Sequence, residues 1–97
     1  MSIDKSEIIA NICYTELVYS RINKKLKTNL SVFDIERKIL HILEETPLSY
    51  FTKIGKNFYI SNIENNIKIT VNSHTYRVIT ADKIDKKQIT FQKTILH

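Results

Sequence analysis

Glycine and proline are nearly absent from this chain, which holds one of each in 97 residues, Gly55 and Pro47. That scarcity excludes a flexible linker and any low-complexity segment, so regular elements must occupy most of the length. Cysteine is as rare, and the lone Cys13 cannot form an internal disulfide. The start, MSIDKSEII, lacks the basic lead and apolar run of a secretory signal, and no apolar run approaches the length that spans a bilayer. The expected setting is the cytoplasm, with no membrane partner.

What is present suits one modest core. With 42% apolar residues the chain can bury a single interior, and one domain over residues 1–97 is expected. Fifteen Lys and Arg against ten Asp and Glu leave a formal charge of +5 and a pI near 9.4. That balance suits a polyanion such as RNA, and it equally describes a solvated basic surface.

Ser2 or Asp4 can cap a helix that apolar periodicity carries to Leu26, about residues 4–26. Ile8, Ile12, Thr15, Tyr19, Ile22 and Leu26 recur at alternating four- and three-residue steps and form one inward stripe. Ile9, Cys13 and Leu17 lie nearly opposite, a second stripe suited to burial or to contact with a protein partner or a second copy. Between them Tyr14, Val18, Arg21 and Lys25 share a flank. An aromatic ring and two cations there could stack a base and hold phosphates, or simply face water. Thr28-Asn29-Leu30 breaks the helix, and Ser31 with Asp34 resembles a capping box that opens a second one, about residues 32–45. Its inner stripe is Val32, Ile35, Ile39 and Ile42, widened by Phe33, Leu40 and Leu43, and Pro47 ends it.

From Ser49 the period turns from helical to alternating. Strands are expected at about residues 50–54, 58–63, 67–71 and 75–81, with Gly55-Lys56 as a type II′ turn and Asn72-Ser73-His74 as the last turn. A short edge strand at about residues 88–92 would complete the chain. The fold class is α+β: an N-terminal helical hairpin packed on one face of a four- to five-stranded antiparallel meander.

His41, His74 and His97 are far apart and none has a neighbour at ligand spacing, so neither a metal nor a cofactor is expected. Cys13, on an apolar stripe, reads as a packing thiol. The sheet remains. Tyr76, Val78 and Thr80 alternate with Thr75, Arg77 and Ile79. If the helices cover the Val78 face, Arg77 joins Lys68 and Thr70 on the open one. Arginine, lysine, hydroxyls and a nearby imidazole are competent for RNA cleavage without a metal: a base activates the 2′-hydroxyl, a cation stabilises the phosphate and an acid protonates the leaving oxygen. Any solvated sheet face offers the same groups.

The segments ICYTELVYSRINKKLK, IGKNFYI and ITVNSHTYRVITADKI resemble an uncharacterised family of small bacterial proteins, a domain of unknown function, over about residues 8–84. That family brings no activity with it. Two N-terminal helices, a meander and a last strand ending in a Thr-Ala-His-like tripeptide are also similar to the sheet nucleases of the barnase, colicin and RelE group. By position this similarity implies Glu16, Arg21 and Lys25 on the first helix, with His74, Tyr76, Thr80 and Lys83 at the sheet. Where that pattern has a histidine this chain has Asp82, so the proton shuttle would fall to Asp82 or His74.

Two functional expectations result. The first is an RNA-binding or RNase-like protein with His74, Arg77, Lys83, Tyr76 and Thr80 as catalytic candidates and Tyr14, Arg21, Lys25 and Lys68 as nucleic-acid contacts. The second is a non-enzymatic interaction protein, such as a phage or mobile-element inhibitor or a toxin–antitoxin component, that docks through Ile9, Cys13 and Leu17.

Overall fold

The periodic run expected as one helix is two helices in the computed structural model, which describes residues 3–84. Helix α1 (Lys5–Asn11) is capped by Asp4, whose carboxylate accepts the Glu7 N–H, and it stops at Ile12 in an extended conformation. Helix α2 (Val18–Leu26) starts at Leu17 without a side-chain cap. No glycine or proline marks the break. Its cause is distant in sequence: the Cys13 N–H donates to the Tyr76 carbonyl at 3.0 Å, and the Cys13 carbonyl accepts the Val78 N–H at 2.9 Å. Backbone groups on an outer strand need partners, and satisfying them overrides helix propensity between Ile12 and Leu17.

Helix α2 ends where Lys27 turns left-handed at φ 58°. The Asn23 side chain then clamps the connection, accepting from the Leu30 N–H and the Thr28 hydroxyl and donating to the Leu30 carbonyl. Helix α3 (Val32–Glu45) is capped by the Ser31 hydroxyl, which accepts the Asp34 N–H, and ends at Thr46 just before Pro47. Lys5 donates to the Glu44 and Thr46 carbonyls at 2.8 and 2.7 Å. A cation thus sits where the helix dipole is negative.

A 3₁₀ turn at Leu48–Tyr50 leads into β1 (Phe51–Ile54), β2 (Asn57–Asn62), β3 (Ile67–Asn72) and β4 (Val78–Lys83). They form a four-stranded antiparallel meander in that order. The α+β expectation holds. Gly55 has φ 61° in the first hairpin, as a type II′ turn requires. The fourth strand starts at Val78 rather than Thr75, because Asn72 closes a loop on itself. Its side-chain oxygen accepts the His74 and Thr75 N–H groups and its carbonyl accepts the Tyr76 N–H.

A bulge then places one extra residue, Ile79, between the pairs Val71↔Val78 and Thr70↔Thr80. Val78 and Thr80, expected on one face, therefore lie on opposite faces.

The helices cover the face that carries Phe51, Ile60, Ile69, Val71, Val78 and Ala81, and the core joins these to Ile8, Val18, Ile22, Ile35, Ile39 and Leu43. Beneath α3 a buried polar chain runs from the Asn62 amide to the Thr46 hydroxyl at 2.9 Å and on to the Ile42 carbonyl at 2.6 Å. Val32, Phe33 and Leu40, expected to point inward, face solvent, Phe33 at 65% exposure under the Arg37 guanidinium. Phe33 and Leu40 stand off the line of Ile35, Ile39 and Ile42 on a helix covered from one side only, and Val32, on that line, is the first residue of the helix and lies at its exposed end. The two sheet edges differ: β4 is covered by Cys13 and α2, whereas β1 is the outer strand on the other side, with Ile54 67% exposed. The expected strand at 88–92 lies outside the described residues.

Ile39 is fully buried, so Ile39→Ala should cost about 2–5 kcal/mol by urea unfolding. Phe33→Ala on the outer face of the same helix should stay within about 0.5 kcal/mol.

Candidate functional site

Splitting the first helix brings α1 up against the β3–β4 loop, and a cleft of about 520 Å³ opens between them. From α1 and its approach come Ile3, Asp4, Glu7 and Ile8; from the sheet, Lys53 and Phe58; from the loop, Ser73, His74 and Tyr76. Tyr76 crosses the cleft, its hydroxyl donating to Glu7 Oε1 at 2.9 Å. That bond raises the Tyr76 phenol above its ordinary pKa, while bonds from Ser6 and the Glu7 N–H lower that of the Asp4 carboxyl.

The Tyr76 backbone is left-handed at φ 60°. For a bulky side chain this conformation costs on the order of 1–3 kcal/mol and persists only where its surroundings over-determine it. Here Asn72, Cys13 and Glu7 hold respectively its N–H, carbonyl and hydroxyl. Ser73 is pinned as well, its N–H and hydroxyl both donating to the Lys56 carbonyl at 2.8 Å.

A second region surrounds the C-terminal end of α2. Ser20, Arg21, Lys24 and Lys25 line one shallow groove. Around the turn from it, Lys27, Lys38 and Lys83 share a pocket of about 280 Å³ with Thr28, Asn65 and Asn66, and no carboxylate lines it among the described residues. These lysines come from three separate elements. Lys25 meets Asp82 at 3.5 Å, and Arg21 donates to the Ile79 carbonyl at 3.3 Å. Both bonds lie on the surface and add little stability, but they aim the α2 flank along β4.

The five catalytic candidates are not gathered into one site. His74 and Tyr76 share the cleft, Lys83 belongs to the three-lysine pocket, Thr80 pairs with buried Thr70 on the face away from the helices, its own hydroxyl buried, and Arg77 is exposed beside Cys13. Val78 to Lys83 alone spans about 17 Å of strand. The four nucleic-acid candidates also separate. Arg21 and Lys25 keep their flank, Lys68 lies on the open face with its ammonium 6.0 Å from the Tyr59 ring, and Tyr14 precedes α2 and turns inward onto Tyr19, ring centroids 5.6 Å apart.

The stripe Ile9, Cys13, Leu17 is dispersed by the helix break: Ile9 packs against the core, Cys13 pairs with β4, its thiol 3.5 Å from the Thr75 carbonyl, and Leu17 is 74% exposed. Glu16, also implied on that helix, is exposed in the turn before α2. The residues sequence reasoning missed are Lys27, Lys38, Lys53, Asp4 and Glu7. Lys27 had a signal, as the last of the run Lys24, Lys25 and Lys27 at the end of the expected first helix; the others gain their neighbours from tertiary structure.

Among the described residues no group of His, Cys, Asp or Glu could hold a metal ion, and no helix is long and apolar enough to cross a membrane. The fold and these surfaces define a small α+β protein with a helical layer on one face of an antiparallel meander. The chain belongs to the family described as "Protein of unknown function (DUF3781)", whose model matches residues 6–82. No curated protein and no solved structure matches it, and the sheet-nuclease similarity is not shown by these comparisons.

The tyrosine cluster inside the helical layer gives a pH test. Tyr19 donates to Glu36 Oε2 at 2.6 Å, and that bond, with some burial, pushes its phenol up to about 12. Burial first, then the Glu36 charge, raises Tyr14 as well. The folded state thus holds the Tyr19 proton more tightly than the unfolded chain, so its contribution is complete below pH about 10 and is lost as pH rises towards about 12. Denaturant unfolding across this window should show wild-type stability falling, and Tyr19→Phe should make the fall shallower.

Proposed function

We propose that the protein binds single-stranded RNA by its phosphate backbone, through the basic band that wraps the C-terminal end of α2. One observation carries this reading: Lys27, Lys38 and Lys83 line one pocket with no carboxylate among its described lining residues. Clustered ammonium groups repel one another unless an anion lies between them. The band continues into the groove of Arg21, Lys24 and Lys25, and the formal charge of +5 has the same sign. Two short concave stretches separated by the turn at Lys27 suit a flexible single strand, which can follow them, better than a stiff duplex. The amides of Asn65 and Asn66 and the hydroxyls of Thr28 and Ser20 lie in the same hollows and can bond to bases and 2′-hydroxyls. Binding, rather than cleavage, is the activity this surface supports, because His74 and Tyr76 stand apart from it.

Fluorescence anisotropy with a labelled single-stranded RNA at a series of salt concentrations tests the reading. Wild type should bind with an affinity that falls steeply with salt. The triple variant Lys27→Gln, Lys38→Gln, Lys83→Gln should flatten the slope of log K against log salt by about 2, from three lost phosphate contacts on a single strand. RNA binding with no salt dependence, or no binding at all, overturns it.

A further inference from the structure

The cleft between α1 and the β3–β4 loop has a construction the basic band does not share. Its polar groups come in two rows, one of carboxylates and one of nitrogen donors. Helix α1 and its cap supply carboxylates, Asp4 and Glu7, while the sheet and loop supply the Lys53 ammonium and the His74 imidazole. No ion pair joins the two rows among the described residues, although they line one cavity. Between them the lining is apolar: half-buried Ile3 and the small exposed part of Phe58, with Ile8 buried behind them.

We propose that this cleft binds a small amphipathic zwitterion, an apolar amino acid or dipeptide, with its ammonium at Asp4 and Glu7, its carboxylate at Lys53 and His74, and its side chain on Ile3 and Phe58. The volume of about 520 Å³ falls within the range of small-molecule sites, roughly 300–1,000 Å³, whose walls are commonly apolar with a few fixed polar groups.

Tyr76 supplies an independent reason. Its left-handed backbone is held from three directions, and such conformations cluster at ligand sites where surrounding structure maintains them. Its hydroxyl takes one oxygen of Glu7 and so fixes the carboxylate, leaving the second oxygen for an ammonium. Ser73, pinned to Lys56, keeps lone pairs on its hydroxyl to accept a further N–H.

Isothermal titration calorimetry with L-leucine and L-leucyl-L-leucine provides the test, alongside L-leucinamide, which lacks the carboxylate, and N-acetyl-L-leucine, which lacks the ammonium. At least one zwitterion should bind saturably, and the comparison of the two reads the length the cleft accepts. Removing either charge should weaken binding about tenfold or more. Glu7→Gln disturbs Tyr76 and can affect folding, so the exposed Lys53 serves as the variant. Lys53→Gln should weaken leucine yet leave leucinamide unchanged, collapsing the discrimination between them. Absence of saturable binding by both zwitterions, equal binding of the blocked compounds, or unchanged discrimination in Lys53→Gln overturns the proposal.

Discussion

Two backbone hydrogen bonds between Cys13 and the start of β4 decide how the N-terminal third of the protein is arranged. An outer strand with open N–H and carbonyl groups is unstable in isolation and invites association. Here the chain supplies its own cover, and the cover interrupts a helix. The interruption lets α1 and α2 take different directions. Helix α2 then runs beside β4, where Arg21 and Lys25 reach the Ile79 carbonyl and Asp82, and α1 sits over the β3–β4 loop, where Glu7 meets Tyr76.

That geometry also sorts the charges. The lysines of the α2 terminus, α3 and β4 collect at one end of β4, and the mixed row of carboxylate, ammonium and imidazole groups collects at the other. A single uninterrupted helix would have kept Tyr14, Arg21 and Lys25 on one flank and left Glu7 on a separate face. Instead Tyr14 is drawn into the interior beside Tyr19 and Glu36, and the α2 flank keeps Arg21 and Lys25, the latter against Asp82. The buried link from Asn62 through Thr46 to Ile42 ties α3 to the β2–β3 turn, so the pocket that holds Lys38 and Asn65 is built on rigid parts. A broken link would leave buried polar groups unpaired, a larger cost than the net worth of the bonds themselves.

Local chemistry made much of this fold readable in advance. Gly55 announced its hairpin, Ser31 its helix start and Pro47 its helix end, and alternation of Ile67, Ile69 and Val71 marked the central strand. Each signal acts within a few residues. The break at Ile12 was not readable, because Ile8 to Leu26 keeps helical periodicity and the competing partner, Tyr76 to Val78, is distant in sequence. The bulge at Ile79 escaped for a related reason: alternation cannot show an inserted residue, and one insertion reverses every side chain beyond it. Of the candidate residues, Arg21 and Lys25 were found from helical spacing and do share a groove. His74, Arg77 and Lys83 were grouped by nearness in sequence, which a strand converts into distance.

The difference between the two margins of the sheet limits how copies of this protein can join. With the start of β4 paired to Cys13 and the strand flanked by α2, β1 is the more open margin for strand pairing among the described residues. Pairing β1 with β1 of a second copy uses that margin on both partners at once. Such a pair is closed by a two-fold axis. At the other margin the six residues between α1 and α2 do what a second chain would otherwise do, occupying the Tyr76 carbonyl and the Val78 N–H from within.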